Sequence, residues 1–281
     1  VIPTAFDYQR ATSIDDALAK LQAASGGKFI AGGHSLVPLM KLRLSEPTVL
    51  IDVARIPGLS GIKEKDGKIE IGAGTTHRDV AMSALLRQVC PVVAETAEEI
   101  GDPQVRNRGT LGGSLAHADP AADYPATMLA LDAEIHMKGP NGWRKVKASE
   151  FFQGLFTVDL APDEIIAGVQ FTPTKAAAYA KLHQRASHFA IVGVAAAVDV
   201  KGGTFQSARI GVTGAMTHAV RLTAVEQALA GKPATKETIA SASAAASVDE
   251  LNSDIHASDE YRRAMLKVFT RRALENALAR A

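Results

Sequence analysis

Two glycine pairs, each close to hydroxyl side chains, constrain this 281-residue chain more than any other feature. The first stands in Ala31-Gly32-Gly33-His34-Ser35. The second lies in Asp102–Asp123, DPQVRNRGTLGGSLAHADPAAD, where Thr110 precedes Gly112 and Gly113 and Ser114 follows them. That second stretch lacks the apolar spacing of a helix or strand and reads as a loop. A pyrophosphate needs close backbone approach, which a Cβ obstructs, and N–H or hydroxyl donors rather than bulk positive charge. Both segments offer that combination, so they are expected to face each other across the diphosphate of one dinucleotide. Neither spacing matches G-x-G-x-x-G or G-x-x-x-x-G-K-[ST], so neither a Rossmann site nor a P-loop is supported. The competing reading is a pair of ordinary tight turns.

Composition narrows the class. Thirty-one Lys and Arg nearly cancel thirty Asp and Glu, which leaves no electrostatic footprint for nucleic acid. One cysteine, Cys90, excludes an intrachain disulfide and a cysteine-ligated iron–sulfur cluster within this chain, which needs about four thiolates. Reducing surroundings, the absence of a run of ~20 apolar residues and a start (VIPTAFDYQR) without a basic-then-apolar signal all point to a cytoplasmic location.

The chain then divides in two. Ser13 and Asp16 make a capping-box-like helix start, and Gly26-Gly27 is expected to stop that helix. Residues 28–31 read as a strand running into the first glycine pair, 36–44 as a helix, 49–53 as a buried strand and 62–71 as a hairpin turning at Asp66-Gly67. Thr76 with Asp79, and then Pro91, start further helices, and residues 124–131 read as another. A hairpin around 139–142 and a strand over 164–171 lead to Thr172-Pro173-Thr174, the expected boundary between residues 1–174 and 175–281. Beyond it come three strands (178–184, 190–200 and 205–212) and three alanine-rich helices. The last helix carries Tyr261, Met265, Leu266, Phe269, Leu274 and Leu278 on one side.

Several polar residues allow more than one role. His117, Asp119 and Asp123 could bind a divalent metal, or His117 could brace the loop. Asp123 could cap the helix at Tyr124, accept hydrogen bonds from ligand hydroxyls, or do both. His34 reads equally as a ligand contact or a solvated turn residue, whereas His183 and His188 read as strand surface.

Two stretches carry a resemblance: AGGHSLVPLMKLRL (Ala31–Leu44) and GDPQVRNRGTLGGSLAHADPAADYPA (Gly101–Ala126). Together with AFDY, VLIDVARIPGL and EYRRAMLKVFTRRALENA, they resemble the FAD-binding medium subunit of the molybdenum hydroxylases, the family of aerobic carbon monoxide dehydrogenase and xanthine dehydrogenase. The A-x-A-D-P-A-A-D version is nearer the carbon monoxide dehydrogenase branch. The resemblance implies an α+β chain: a vanillyl-alcohol-oxidase-type FAD-binding domain, then a smaller C-terminal domain of a three-stranded sheet and helices. It assigns Ala31, Gly32, Gly33, His34 and Ser35, flanked by Ile30 and Leu36, to FAD, as it does Thr110, Leu111, Gly112, Gly113 and Ser114, preceded by Gly101. Asp123 would hold the flavin's sugar or ribityl hydroxyls, and Leu160 and Lys181 would lie near the isoalloxazine end. Where the family often has Asp followed by Tyr or Trp, this chain has His188-Phe189, so the aromatic flanking the flavin would lack a hydroxyl.

The same resemblance implies an electron-transfer subunit of an oxidoreductase assembled as a heterohexamer, a dimer of heterotrimers. A small subunit would carry two two-iron two-sulfur clusters, and a large one molybdopterin-bound molybdenum. This chain would carry FAD and pass electrons to an external acceptor, with no metal and no catalytic acid or base of its own. The substrate pocket would lie on another chain, so neither substrate nor acceptor is written here. Alternatives are a stand-alone flavin oxidoreductase of the same fold and a flavin-free scaffold subunit. Gly33→Val or Gly112→Val is expected to abolish flavin retention in a folded chain.

Overall fold

Local signals build the frame around the two glycine segments. The computed structural model describes residues 2–281. After β1 (Asp7–Arg10), the Ser13 hydroxyl accepts the Asp16 N–H at 3.0 Å and starts α1 (Ile14–Ala23). Strands β2 (Gly27–Ile30) and β3 (Val49–Asp52), joined through α2 (Leu36–Lys41), complete a parallel sheet of order β1-β3-β2. The first glycine pair therefore sits just past the carboxyl end of β2, the edge at which parallel sheets open their ligand sites.

A hairpin follows, β4 (Ile62–Lys65) and β5 (Lys68–Gly72), turning at Asp66-Gly67 with both residues at positive φ. Thr76 caps α3 (His77–Ala81). Next come α4 (Ala84–Val89), not among the expected helices and capped by the Ser83 hydroxyl, and α5 (Pro91–Glu98), which opens on its proline. The stretch read as a loop is instead half helical. Asp102 caps α6 (Pro103–Arg106), and Thr110 caps α7 (Leu111–His117). Only Leu111 and Leu115 mark the buried face of α7, and its two glycines lower helix propensity, which hid it.

Helix α8 (Tyr124–Ala130) is buried along its whole length. Strands β6 (Glu134–Gly139) and β7 (Gly142–Lys147), helix α9 (Ala148–Phe151), the short pair β8 (Phe152–Gly154) and β9 (Thr157–Val158), and β10 (Ile165–Phe171) close this part of the chain. Together with the first hairpin they make an antiparallel sheet of order β4-β5-β10-β6-β7.

The remaining chain forms its own sheet: β11 (Ala177–His183), β12 (Ala190–Lys201), β13 (Thr204–Thr213) and β14 (Val220–Arg221), in sequential antiparallel order. The three long strands are those expected. β14 adds a fourth at the edge, and two residues carry no readable periodicity. Helices α10 (Thr223–Leu229), α11 (Lys236–Ala244) and α12 (Asp259–Leu278) cover this sheet and share its apolar core with Val194, Ile210, Leu266 and Leu274. On α12, Tyr261 is exposed and Arg262 is buried in its place. The Arg262 guanidinium satisfies the Ile191 and Gly214 carbonyls at 2.6 and 2.8 Å and pairs with Asp254 at 2.6 Å, contacts that apolar patterning cannot reveal. Helix α8 joins the two halves, packing on α5 and α7 on one side and on β12 and β13 on the other. Among the described residues, no helix is long and apolar enough to cross a membrane.

Candidate functional site

The principal cleft, about 490 Å³, opens where the β2–α2 loop, the start of α7, residues 119–123, the run into β10 and the loop Ser187–Phe189 converge. Its size suits a small-molecule site, for which about 300–1,000 Å³ is usual. Of the residues expected to hold the cofactor, Ile30 to Leu36, Gly101, Thr110, Gly112, Gly113, Ser114, Asp123 and Leu160 all lie on its wall. Leu111 does not, because its side chain is in the core. Lys181 does not either: it stands behind Asp123.

The two glycine segments reach this wall by different means. In the first, the N–H groups of Gly33, His34 and Ser35 have no protein partner among the described residues. Ser35 holds the N-cap position of α2 without a side-chain cap bond, so its hydroxyl is free as well. Gly33 has φ +75°, which L side chains rarely adopt. At Gly32, a Cβ would overlap the Arg108 carbonyl oxygen, so that glycine answers to its own fold rather than to a ligand.

In the second segment the donors are already engaged. Leu111 N–H bonds the Thr75 carbonyl at 3.0 Å, Gly112 N–H the Ala73 carbonyl at 2.8 Å, and Gly113 N–H the Thr110 hydroxyl at 3.2 Å. A Cβ at Gly112 would overlap Ala73, so this glycine seats α7 on the segment after β5. At Gly113 a Cβ would meet only Thr110 Oγ1, at 2.8 Å. The bare face of Gly113, beside the Ser114 hydroxyl, is what this segment gives the cleft.

Asp123 is a buried charged residue of the wall. Its side chain does not cap α8; instead it receives the Tyr179 hydroxyl at 2.6 Å and the Lys181 ammonium at 2.8 Å. Burial pushes its carboxyl up to about 6 against the opposing pull of Lys181. The metal reading of His117, Asp119 and Asp123 finds no support, since no such cluster of three or more ligands exists among the described residues. Asp119 accepts the Ala121 N–H at 2.8 Å in a local turn. His117 lines the cleft and packs on Phe156, ring centroids 5.1 Å apart.

His188 is not strand surface. It lies in the β11–β12 loop at φ +61°, lines the cleft beside Phe189 and stacks on His183 at 5.2 Å. Two further residues of the wall escaped the sequence reading. His77, nearly buried and 5.3 Å from the Tyr124 ring, is drawn down to about 4 chiefly by burial and is neutral at pH 7. Glu164 is gripped by Arg144 at 2.5 and 2.6 Å. That fork, which also holds Asp159 at 3.0 Å, fixes the turn carrying Leu160. The partners lie too far apart in sequence for any local pattern to show them.

Comparison with known proteins agrees with this geometry. Residues 4–174 match the family described as FAD binding domain in molybdopterin dehydrogenase, and residues 177–277 the CO dehydrogenase flavoprotein C-terminal domain. The carbon monoxide dehydrogenase medium chain of Hydrogenophaga pseudoflava is 39% identical over 100% of this chain and 99% of its own length. The 6-hydroxypseudooxynicotine dehydrogenase complex subunit alpha of Paenarthrobacter nicotinovorans is also 39% identical, over 99% of this chain and 96% of its own. A solved Hydrogenophaga pseudoflava carbon monoxide dehydrogenase chain superposes with a TM-score of 0.96 at 40% identity, covering 100% of both chains. The chain belongs to the family of FAD-binding medium subunits of the molybdenum hydroxylases, on the branch of carbon monoxide dehydrogenase.

Proposed function

We propose that the cleft holds FAD, with the diphosphate against Gly33, His34 and Ser35 on one side and Gly113 and Ser114 on the other. The observation that carries this reading is the row of unpartnered N–H groups at Gly33–Ser35 on the cleft wall, an arrangement suited to an anion. Asp123 would accept from sugar or ribityl hydroxyls, and Leu160 and Phe189 would supply apolar surface. Lys181 acts through Asp123 rather than on the cofactor. FAD, when bound, supplies exchange of electrons singly or in pairs, while the protein positions and tunes it. No side chain is assigned a proton-transfer step.

The chain is the FAD-carrying, electron-transferring subunit of a molybdenum hydroxylase. In the assembly it joins a small subunit with two-iron two-sulfur clusters and a large subunit with molybdopterin-bound molybdenum, as a dimer of heterotrimers. We place it in the cytoplasm and divide it at 174/175, a division supported by the two family matches, which end and begin around that point. Two relatives equally similar to this chain are named for different substrates, carbon monoxide and 6-hydroxypseudooxynicotine, which fits a subunit remote from substrate choice. The test is the visible spectrum of the native complex and of this chain after separation. Flavin bands are expected to follow this chain. A chain that stays colourless after incubation with FAD would return the flavin-free scaffold reading.

A further inference from the structure

The segment Pro120–Asp123, which brings Ala122 and Asp123 to the cleft wall, precedes the second sheet by more than fifty residues, yet that sheet holds it. At the end of β13, the Thr213 hydroxyl lies 2.8 Å from the Pro120 carbonyl oxygen and 2.7 Å from that of Ala122, sharing its one proton between them. Gly214 N–H donates to Pro120 at 2.7 Å, and Ala190 N–H to Ala121 at 3.2 Å. From β11, Tyr179 and Lys181 both engage Oδ1 of Asp123. Oδ2 accepts from no protein group among the described residues. Ala122 and Asp123 line the cleft, whereas Thr213 and Tyr179 do not.

We propose that Tyr179 and Thr213 are positioning residues for the FAD site, setting the wall from the second sheet and holding Asp123 so that Oδ2 accepts from hydroxyls of the bound dinucleotide. The proposal rests on the FAD reading of the cleft. Its physical basis is that a short segment outside regular secondary structure has few intrinsic restraints. Here each exposed carbonyl is tied to a strand of a rigid sheet. The Asp123 carboxylate would otherwise turn in its plane and lose the aim that a hydroxyl ligand needs.

Ionisation follows from the same contacts. The groups facing Asp123 are Lys181 and Tyr179 on β11, Glu99 at the end of α5, and its neighbour Tyr124. Lys181 and Tyr179 favour the carboxylate, while burial and Glu99 oppose it. Lys181 also donates to the Glu99 carbonyl at 2.8 Å, which anchors the ammonium between the two halves of the chain.

The test uses the full chain and FAD itself, titrated by flavin fluorescence from pH 5 to 8, with unfolding of the FAD-free chain followed in parallel. Thr213→Val is expected to weaken FAD binding about tenfold, and Thr213→Ser to restore it. Tyr179→Phe removes a donor to the carboxylate and is expected to raise the pH below which FAD is lost by about one unit. Asp123→Asn should abolish that pH dependence. Wild-type affinity and an unmoved midpoint in both Thr213→Val and Tyr179→Phe would overturn the positioning role while leaving the FAD reading intact. Failure of the wild-type chain to bind FAD would overturn both. A loss of affinity equal at every pH, matched by an equal loss of stability in the FAD-free chain, would mark plain destabilisation and also overturn the proposal.

Discussion

The loop Ala31–Ser35 and the segment Gly109–Ser114 look alike on paper, each a glycine pair with hydroxyls, yet they contribute opposite things. The loop leaves the N–H groups of Gly33, His34 and Ser35 unpartnered and directed by a positive-φ glycine. The segment starts a helix whose first donors bond Thr75, Ala73 and Thr110. One supplies donors, the other shape. A glycine pair is therefore not evidence of an anion site until the partners of its N–H groups are known.

Substitutions can break this contrast, and the largest effect is expected in the segment. Gly112→Val would drive a side chain into Ala73 and is expected to cost about 3 kcal/mol of stability or prevent folding. This replaces the expectation of a folded, flavin-free protein. Denaturant unfolding of the FAD-free chain measures it, and wild-type stability would refute the seating of α7.

Gly33→Val tests the other half. The loop is at the surface, so the chain should fold, but a β-branched residue at φ +75° strains the donor row by about 1–3 kcal/mol. FAD affinity is expected to fall tenfold or more. Full flavin retention would remove the loop from the diphosphate site.

Smaller changes sharpen the distinction. Thr110→Val removes the α7 cap and should cost about 1 kcal/mol of stability with little change in FAD affinity at saturating folded protein. Ser35→Ala should do the reverse, with unfolding unchanged and FAD binding a few-fold weaker, since its hydroxyl caps nothing. If both variants lose stability and affinity in proportion, the contrast between the two segments fails.

The smallest effect concerns pH. His77, packed against Gly109 at the head of the segment, has its folded value lowered from 6.5 to about 4. Its contribution to stability is complete above pH 6.5 and is lost as pH falls towards 4. Asp123 is raised from 3.8 to about 6, so its cost to the fold is relieved as pH falls over nearly the same window. The two oppose each other, while His117 and His136, also held below their ordinary value chiefly by burial, add to the loss on acidification, so the FAD-free chain should melt lower at pH 4 than at pH 6. His77→Gln removes one of these losses, so its melting temperature should fall less than the wild type's between pH 6 and pH 4. A fall as steep as the wild type's would contradict the His77 assignment.

Much of the frame was legible in the sequence because its signals are local. Ser13-x-x-Asp16, Thr76-x-x-Asp79 and Asp66-Gly67 act within a few residues, and each does in the structure what its spacing implies. The helices α4 and α7 were not legible. The first is six residues long and marked only by its cap Ser83, and in the second Gly112, which would weaken an isolated helix, is required by contact with Ala73. The burial of Arg262 was not legible for a related reason: nothing local marks a charged residue for a buried face until Ile191, Gly214 and Asp254 are seen around it.

By itself, the sequence determined the two-part α+β plan, because strand and helix periods, caps and turn residues act over short spans; the resemblance of its motifs carried the family and most of the expected residues gathered on the cleft wall. Only the tertiary structure decided which glycines face a ligand and which face the protein, that Asp123 is held by Tyr179 and Lys181 rather than capping α8, and that the second sheet supports the wall of the first domain's cleft. Those outcomes depend on which carbonyl or carboxylate meets each donor across 50 to 100 residues of chain. No local pattern encodes that pairing.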